Sequence, residues 1–263
     1  MTRRPSFPAR IDFSHGQPTT VRPAGAGSKV APRAGVAART PVGPQGLGMD
    51  SVAVRASMGQ KLAAQGVADK WVLQAMNAVE RHRFVDPALV NQAYEDTSLP
   101  IGLGQTISKP NVVARMMELL RHGQPGKLGR VLEIGTGCGY QAAVLSHLAT
   151  EVYSIERLRG LHDKARDNLR PFRLANVHLL FGDGMAGFPK GAPYAGIIAA
   201  AGGEAVPQAW VDQLAVGGRL VAPVVTAGAS GAQALLVLDK TPHGVRQSLL
   251  EAVHFVPLKS GIG

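Results

Sequence analysis

The 263-residue chain contains a single cysteine, Cys138, and few aromatic residues, which make up 5% of the sequence. One cysteine excludes an intrachain disulfide and a cysteine-based metal cluster, and no HExxH or comparable ligand spacing occurs, so we expect no metal. No uninterrupted apolar run reaches the ~18 residues of a transmembrane helix, and no apolar stretch follows Arg3 and Arg4 as in a secretory signal. These absences favour a cytoplasmic protein without a membrane partner.

The first fifty residues have almost no large apolar side chains and are rich in proline, alanine, glycine and arginine. Such a segment cannot bury enough surface to offset the entropy lost on ordering, so residues 1–50 are predicted to be a disordered basic tail. The tail carries half of the net charge of +10. Because the rest of the charge is dispersed, we expect no specific nucleic-acid partner. Met49 and Met58 are alternative start sites that would make the tail an artefact.

Residues 51–263 are predicted to form the folded domain, with N-terminal helices and a loop over residues 51–125 and the core over residues 126–263. Val54, Met58 and Leu62 share one helical face, and residues 71–79 repeat the pattern. We therefore expect two amphipathic helices ahead of the core, where they would form a lid or a side wall.

Beyond residue 130, apolar runs alternate with helical patterns, which is typical of a mostly parallel sheet with helices on both faces. The predicted strands are Val131–Ile134, Val152–Ile155, Val177–Phe181 and Ala195–Ala200, and the predicted helices are Tyr140–Leu148 and Leu158–Leu169. Three later strands, with a closing antiparallel hairpin, are predicted at Gly217–Val225, Ala232–Asp239 and Ala252–Leu258.

The first strand of the core runs through a glycine-rich loop directly into a helix. Gly135, Gly137 and Gly139 allow the backbone to turn sharply and to approach a ligand, and ligands bind at the carboxyl ends of strands in open α/β sheets. The spacing is GxGxG, whereas dinucleotide sites use GxGxxG. Glu133, two residues before the first glycine, suits the sulfonium and ammonium groups of S-adenosylmethionine.

Two further carboxylates follow the next two predicted strands. Glu156 is placed to accept hydrogen bonds from both ribose hydroxyls of a nucleoside, and Asp183, before Gly184, to accept one from the exocyclic amine of adenine. Taken singly, Glu156 could cap the following helix and Asp183 could make a tight turn. Together with Glu133, they predict an S-adenosylmethionine site.

A second glycine-bearing loop, Leu99–Pro110, precedes the core and leads into a helical stretch at Val112–Leu120. Ser108 fits either the N-cap of that helix or a hydroxyl that contacts a ligand. The segment Gln105-Thr-Ile-Ser108, with the glycine loop and Gly182-Asp-Gly184, closely resembles protein-L-isoaspartate O-methyltransferases. The resemblance extends over about residues 67–261.

This resemblance implies a Rossmann-like class I methyltransferase fold with N-terminal helical additions. It also implies a repair activity, in which the methyl group of S-adenosylmethionine goes to the α-carboxylate of L-isoaspartyl residues in damaged proteins. By position, Ser108 matches the active-site serine. The remaining matches are Gln105, Thr106 and Ile107 in the substrate pocket and Gly135, Glu156, Asp183 and Gly184 at the cofactor.

One residue departs from the resemblance, because His254 stands where arginine is expected, and this puts substrate preference in doubt. We expect a monomer. The main alternative is an S-adenosylmethionine-dependent methyltransferase of a small molecule or RNA, which the basic tail would favour. An NAD-dependent oxidoreductase and an inactive binding module are further alternatives, against which the glycine spacing and the intact carboxylates argue.

Overall fold

The computed structural model describes residues 52–226 and 231–263, and this part of the chain begins with two helices. Helix α1 spans Val52–Ala64 and helix α2 spans Lys70–Ala78, in agreement with the two predicted amphipathic helices. Two 3-10 turns follow, at Arg81–Phe84 and Pro87–Gln92. The tail predicted over residues 1–50 lies outside the described residues.

An antiparallel hairpin, β1 (Leu99–Gly102) and β2 (Gln105–Ile107), precedes helix α3 (Pro110–Arg121). The N-cap position of α3 is occupied by Lys109, whose side chain makes no capping hydrogen bond. Asp96 instead accepts a hydrogen bond from Asn111 N in the first turn, at 2.9 Å. The alternative of Ser108 as the N-cap residue is therefore wrong, and its side chain is left for another role.

A seven-stranded sheet follows, in the order β5-β4-β3-β6-β7-β8-β9. The strands β3 to β7 pair in parallel, while β8 and β9 pair antiparallel at one edge. The strands are β3 (Leu128–Ile134), β4 (Ala149–Glu156), β5 (Val177–Phe181), β6 (Tyr194–Ala199), β7 (Leu214–Val225), β8 (Gln233–Thr241) and β9 (Gly244–Val253). The helices between them are α4 (Tyr140–Leu148), α5 (Arg159–Leu169) and α6 (Gln208–Gln213). The predicted α/β architecture is confirmed.

The last strand lies earlier in the chain than predicted. Strand β9 ends at Val253, so the prediction of a strand through Leu258 is wrong for residues 254–258, of which only Pro257 forms an isolated bridge. Nearly every residue of β9 is exposed, because it is the edge strand. Its sequence therefore lacks the apolar run that marks a buried strand. The run after it is apolar because Phe255 is buried, and the backbones of Val256 and Leu258 are hydrogen-bonded to Gly202.

Strand order reverses at the centre of the sheet, where β3 lies between β4 and β6. The chain moves outward from β3 to β5 and then crosses back to β6, so the connections leave β3 and β6 in opposite directions. A crevice outside the carboxyl ends of the strands is expected at such a switch point. The largest apolar cluster lies between one face of the sheet and helices α1–α4, with residues such as Met76, Met117 and Leu145. None of the described helices is both long and apolar enough to cross a bilayer.

A buried ion pair fastens α2 to α3. Asp69 Oδ1 accepts hydrogen bonds from Trp71 N and Val72 N at the start of α2, and Asp69 Oδ2 accepts one from Arg121 Nε at 2.8 Å. The Arg121 side chain is 1% exposed, and its other nitrogens donate to the carbonyl oxygens of Gly126 and Gln124. Every nitrogen of this guanidinium therefore has a partner.

We expect Asp69→Ala to lower the free energy of unfolding by about 3–5 kcal/mol, because the substitution removes a helix cap and leaves a buried guanidinium without its counter-ion. Asp69→Asn keeps the capping oxygen but loses the charge and the acceptor for Arg121 Nε, so its effect should be smaller than that of Asp69→Ala but still measurable. Urea unfolding of the two variants beside the native protein measures both changes. A loss below about 1 kcal/mol for Asp69→Ala would contradict the assignment.

Candidate active site

A cavity of about 450 Å³ opens at the carboxyl ends of β3, β4 and β6. Its volume is within the range of small-molecule sites. Four segments supply most of its wall, namely the hairpin with the residues after it, the glycine loop, the turn after β4 and a stretch near the C-terminus, in residues 101–108, 134–138, 155–158 and 256–259. The site that the sequence predicts in two separate loops is thus one cavity at the switch point of the sheet.

The three loop glycines have different roles. Gly135 and Gly137 line the cavity with φ angles of 90° and 57°, which favour glycine. Gly139 does not line the cavity. It precedes α4, also at positive φ, and a Cβ there would lie 3.0 Å from Leu169 Cδ1 on α5. Its contribution is therefore close packing of the loop against α5, and its predicted contact with the cofactor would be indirect.

Glu156 closes β4 and lines the cavity, with 5% of its surface exposed. Its Oε2 accepts a hydrogen bond from Gly137 N and its Oε1 accepts one from Leu158 N, each at 2.9 Å. A carboxylate oxygen can accept a second hydrogen bond, so both oxygens retain capacity for hydroxyl donors. Its predicted role toward a ribose is compatible with this geometry.

Asp183 lies at the end of β5 and is not part of the cavity wall, whereas its neighbour Gly184 is. Asp183 Oδ1 accepts a hydrogen bond from Met185 N at 2.8 Å, which is the tight-turn role considered above. Its Oδ2 accepts one from Gly261 N at 2.6 Å and so holds the C-terminal segment. Contact of Asp183 with adenine stays a prediction.

Glu133 is fully buried on β3 and does not line the cavity. Burial raises its pKa to about 8, although Ser154 Oγ donates a hydrogen bond to Oε2 at 2.5 Å. Its other oxygen, Oε1, has no hydrogen-bond partner of regular geometry among the described residues, and neither has the nearby Nε2 of Gln141 in the cavity wall. The Gln141 side chain also interacts with Glu133 and limits the rise of its pKa, and of the two residues only Gln141 reaches the cavity.

The predicted substrate residues all line the cavity, namely Gln105, Thr106, Ile107 and Ser108. The Ser108 carbonyl oxygen accepts a hydrogen bond from Arg81 Nη2 at 2.8 Å. The Ser108 hydroxyl makes no hydrogen bond to another residue in the described parts of the chain. It is therefore available to donate to a bound molecule.

Several residues of the site are not among the predictions. Gln141 and Tyr140 follow the glycine loop directly, and their position after it is the signal that could have found them. The stretch Val256–Lys259 also lines the cavity, although its apolar residues indicated a strand. His254, the departure from the expected arginine, is exposed and lies outside the wall. Arg81 does not line the cavity and contacts the site through its hydrogen bond to the Ser108 carbonyl oxygen. No local sequence pattern identifies this residue.

Burial also controls the thiol of Cys138, which lines the cavity and is 3% exposed. Burial raises the pKa of this thiol and that of the Tyr140 hydroxyl, the latter to about 12. Both groups are therefore protonated at neutral pH. Cys138 is therefore not expected to act as a nucleophile, because a thiol is a far weaker nucleophile than a thiolate.

The family model for protein-L-isoaspartate(D-aspartate) O-methyltransferase matches residues 54–263, which is most of the chain. The chain belongs to this family. A protein-L-isoaspartate O-methyltransferase of Methylibium petroleiphilum is 63% identical over 220 residues, covering 83% of this chain and 81% of that protein. One of Leptothrix cholodnii is 61% identical over 218 residues, covering 82% and 77% of the two chains.

Solved structures agree with the family. A protein-L-isoaspartate O-methyltransferase structure has a TM-score of 0.71 and 29% identity, covering 80% of this chain and 67% of that one. A Plasmodium falciparum chain described as the same enzyme, in complex with S-adenosyl-L-homocysteine, has a TM-score of 0.66 at 23% identity, covering 78% and 98%. The expected class I methyltransferase fold, the cofactor S-adenosylmethionine and the repair of isoaspartyl residues by methyl transfer are confirmed.

We expect the free energy of unfolding to fall as pH rises from about 5 to about 8. Over this range the native state keeps a proton on Glu133 that the unfolded state has already released. Glu133→Gln has no proton to release and keeps an acceptor for Ser154, so its stability should depend less on pH. Urea unfolding of both proteins at several pH values measures the difference. Parallel pH profiles would contradict the burial of an ionisable Glu133.

Proposed function

We propose that S-adenosylmethionine lies along the glycine loop of this cavity and that the isoaspartyl carboxylate lies against Gln105–Ser108. The proposal rests on one observation. The segment Gln105–Ser108, on which the family resemblance depends, and the glycine loop are about thirty residues apart in sequence but line the same cavity. Reaction between two bound groups requires this proximity, which can be worth roughly 7–11 kcal/mol when the reacting atoms are aligned.

The residues present fit the cofactor. Glu156 offers two partly used carboxylate oxygens to the ribose hydroxyls. Gln141 lines the cavity beside the glycine loop and offers its side-chain amide to the ammonium and carboxylate groups of the methionine part. Glu133 is buried outside the cavity wall and interacts with Gln141, so its predicted contact with the cofactor would be indirect. Glycine at 135 and 137 adds no side chain to that side of the cavity.

Position is the main requirement of the chemistry. When bound, S-adenosylmethionine would supply an electrophilic methyl group to the substrate carboxylate. An α-carboxylate with an ordinary pKa near ~4 is ionised at neutral pH, so the protein need not supply a general base. The Ser108 hydroxyl donates a hydrogen bond to this carboxylate and orients it. The protonated Cys138 thiol does not compete as a nucleophile.

The cytoplasmic location, the monomeric state and the division of the domain at residue 125 stay predictions. So does the influence of His254, which flanks the cavity-lining stretch near the C-terminus and could affect which peptides bind.

Methyl transfer from labelled S-adenosylmethionine to a short isoaspartyl peptide tests the proposed placement. We expect base-labile label in this peptide and none in its normal-aspartate twin, because only the isoaspartyl peptide has its α-carboxylate free at the damaged residue. Cofactor binding without methylation of either peptide would contradict the proposal and point to RNA or a small molecule as the substrate.

Ser108→Ala should lower kcat/KM for the isoaspartyl peptide by roughly 10- to 100-fold, which is the usual effect of losing a hydrogen bond to a charged group. Its dissociation constant for S-adenosylmethionine should change little, since the hydroxyl serves the substrate. Initial rates and calorimetric titration measure the two quantities.

Glu156→Gln is the matched control for this substitution, because it should weaken cofactor binding while leaving the Gln105–Ser108 loop intact. Native activity in Ser108→Ala would rule out the role of its hydroxyl, and weakened cofactor binding in that variant would show that Ser108 serves the other half of the cavity.

A further inference from the structure

Arg81 is a fully buried cation directly behind the substrate loop. It begins the 3-10 turn Arg81–Phe84 and is 0% exposed. Its Nε donates to the carbonyl oxygen of Ala93 at 2.7 Å, and its Nη2 donates to that of Ser108 at 2.8 Å. The guanidinium carbon lies 4.7 Å from the centre of the Tyr140 ring. Nη1 has no hydrogen-bond partner of regular geometry in the described parts of the chain, although the Tyr140 hydroxyl interacts with the guanidinium.

The second fully buried arginine, Arg121, shows what is missing at Arg81. Arg121 has a carboxylate partner in Asp69, and all its nitrogens donate to described acceptors. Arg81 makes no ion pair within residues 52–226 and 231–263. Burial lowers its pKa, yet arginine stays charged in proteins. A buried charge without a counter-ion costs several kcal/mol, so its presence calls for a function.

Three cavity residues lie next to this cation. Its hydrogen bond holds the Ser108 backbone, its face covers the Tyr140 ring, and its charge acts on Cys138. All three residues line the cavity. The group to be methylated there is an anion, and a fixed positive charge in a water-poor site attracts an anion more strongly than it does in water.

We propose that Arg81 is the positioning residue of the substrate carboxylate: it fixes the Ser108 backbone and supplies the positive potential that draws the carboxylate to the Ser108 hydroxyl. This inference rests on the proposed function of the cavity. In the protein without substrate, the cation makes no ion pair among the described residues, the charge of Asp96 acts on it from beyond ion-pair distance, and the isoaspartyl carboxylate brings a further negative charge on binding.

A purely structural arginine would fasten the 3-10 turn to the substrate loop without distinguishing charged from neutral ligands. The two roles separate when binding is compared for the isoaspartyl peptide and for the same peptide with an α-carboxamide in place of the α-carboxylate. The carboxamide has nearly the same shape but no charge. Loss of the loop geometry would weaken both peptides, whereas loss of the potential would weaken the carboxylate alone.

The experiment measures the dissociation constants of both peptides, with S-adenosyl-L-homocysteine present, for the native protein, Arg81→Met and Arg121→Met. In Arg81→Met we expect the carboxylate peptide to lose about tenfold more affinity than the carboxamide peptide, which weakens only through loss of the hydrogen bond to the Ser108 backbone. Arg121→Met is the matched control. It also removes a buried guanidinium and should lower the unfolding temperature, but it should leave the ratio of the two constants unchanged.

Equal weakening of both peptides in Arg81→Met would overturn the inference and leave Arg81 a structural role. If Arg81→Met does not fold, Arg81→Gln decides the matter. Glutamine is also neutral but keeps an amide donor for a carbonyl oxygen, so the preference for the carboxylate should fall, and an unchanged preference would overturn the inference. If the native protein does not methylate the isoaspartyl peptide, the proposed function itself fails, and this outcome is distinct from both.

Discussion

The hydrogen bond from Gly137 N to Glu156 Oε2 joins the two structural units on which the site depends. The glycine loop follows β3, and Glu156 ends β4, the neighbouring parallel strand. Glu156 Oε1 also accepts a hydrogen bond from Leu158 N, so one carboxylate holds the backbone of the glycine loop and that of the turn before α5. The carboxylate is thereby held at the cavity with limited freedom, which is the preorganisation that a ligand site requires.

The C-terminal segment closes the same end of the cavity. Gly261 N donates to Asp183 Oδ2, and Arg157 Nε donates to the carbonyl oxygen of Gly261. Arg159 N donates in addition to the carbonyl oxygen of Gly263. The turns after β4 and β5 therefore contribute residues to the cavity wall. The same turns also bind the C-terminal segment through these hydrogen bonds.

Burial sets the charge states around the cavity. It raises the pKa of Glu133, Cys138 and Tyr140, so these groups favour their neutral forms, whereas Arg81 keeps its charge. A carboxylate substrate that is already ionised needs neither a base nor a competing nucleophile. The low polarity of the surroundings thus suits a reaction in which the protein mainly orients two bound groups.

Much of the fold could be predicted because buried parallel strands are apolar throughout and turn at glycine. Helix α4 has the predicted bounds, and β5 does as well. Edge strand β9 could not be predicted in this way, since exposed residues on both its faces leave no periodic pattern. The opposite holds for Phe255–Leu258. This run is apolar because Phe255 is buried, so its composition predicts a strand although it does not form one.

The sequence by itself determined the class of fold, the family and the residues of the two loops, because these depend on local patterns and short motifs. Only the tertiary structure decided the role of each residue. In the structure the Ser108 side chain does not cap α3, and Gly139 allows the loop to pack closely against α5. Asp183 accepts a hydrogen bond from the C-terminal segment. The tertiary structure also brings Arg81 behind Ser108, although 27 residues separate them. Such contacts follow from the packing of distant segments, which no local pattern encodes.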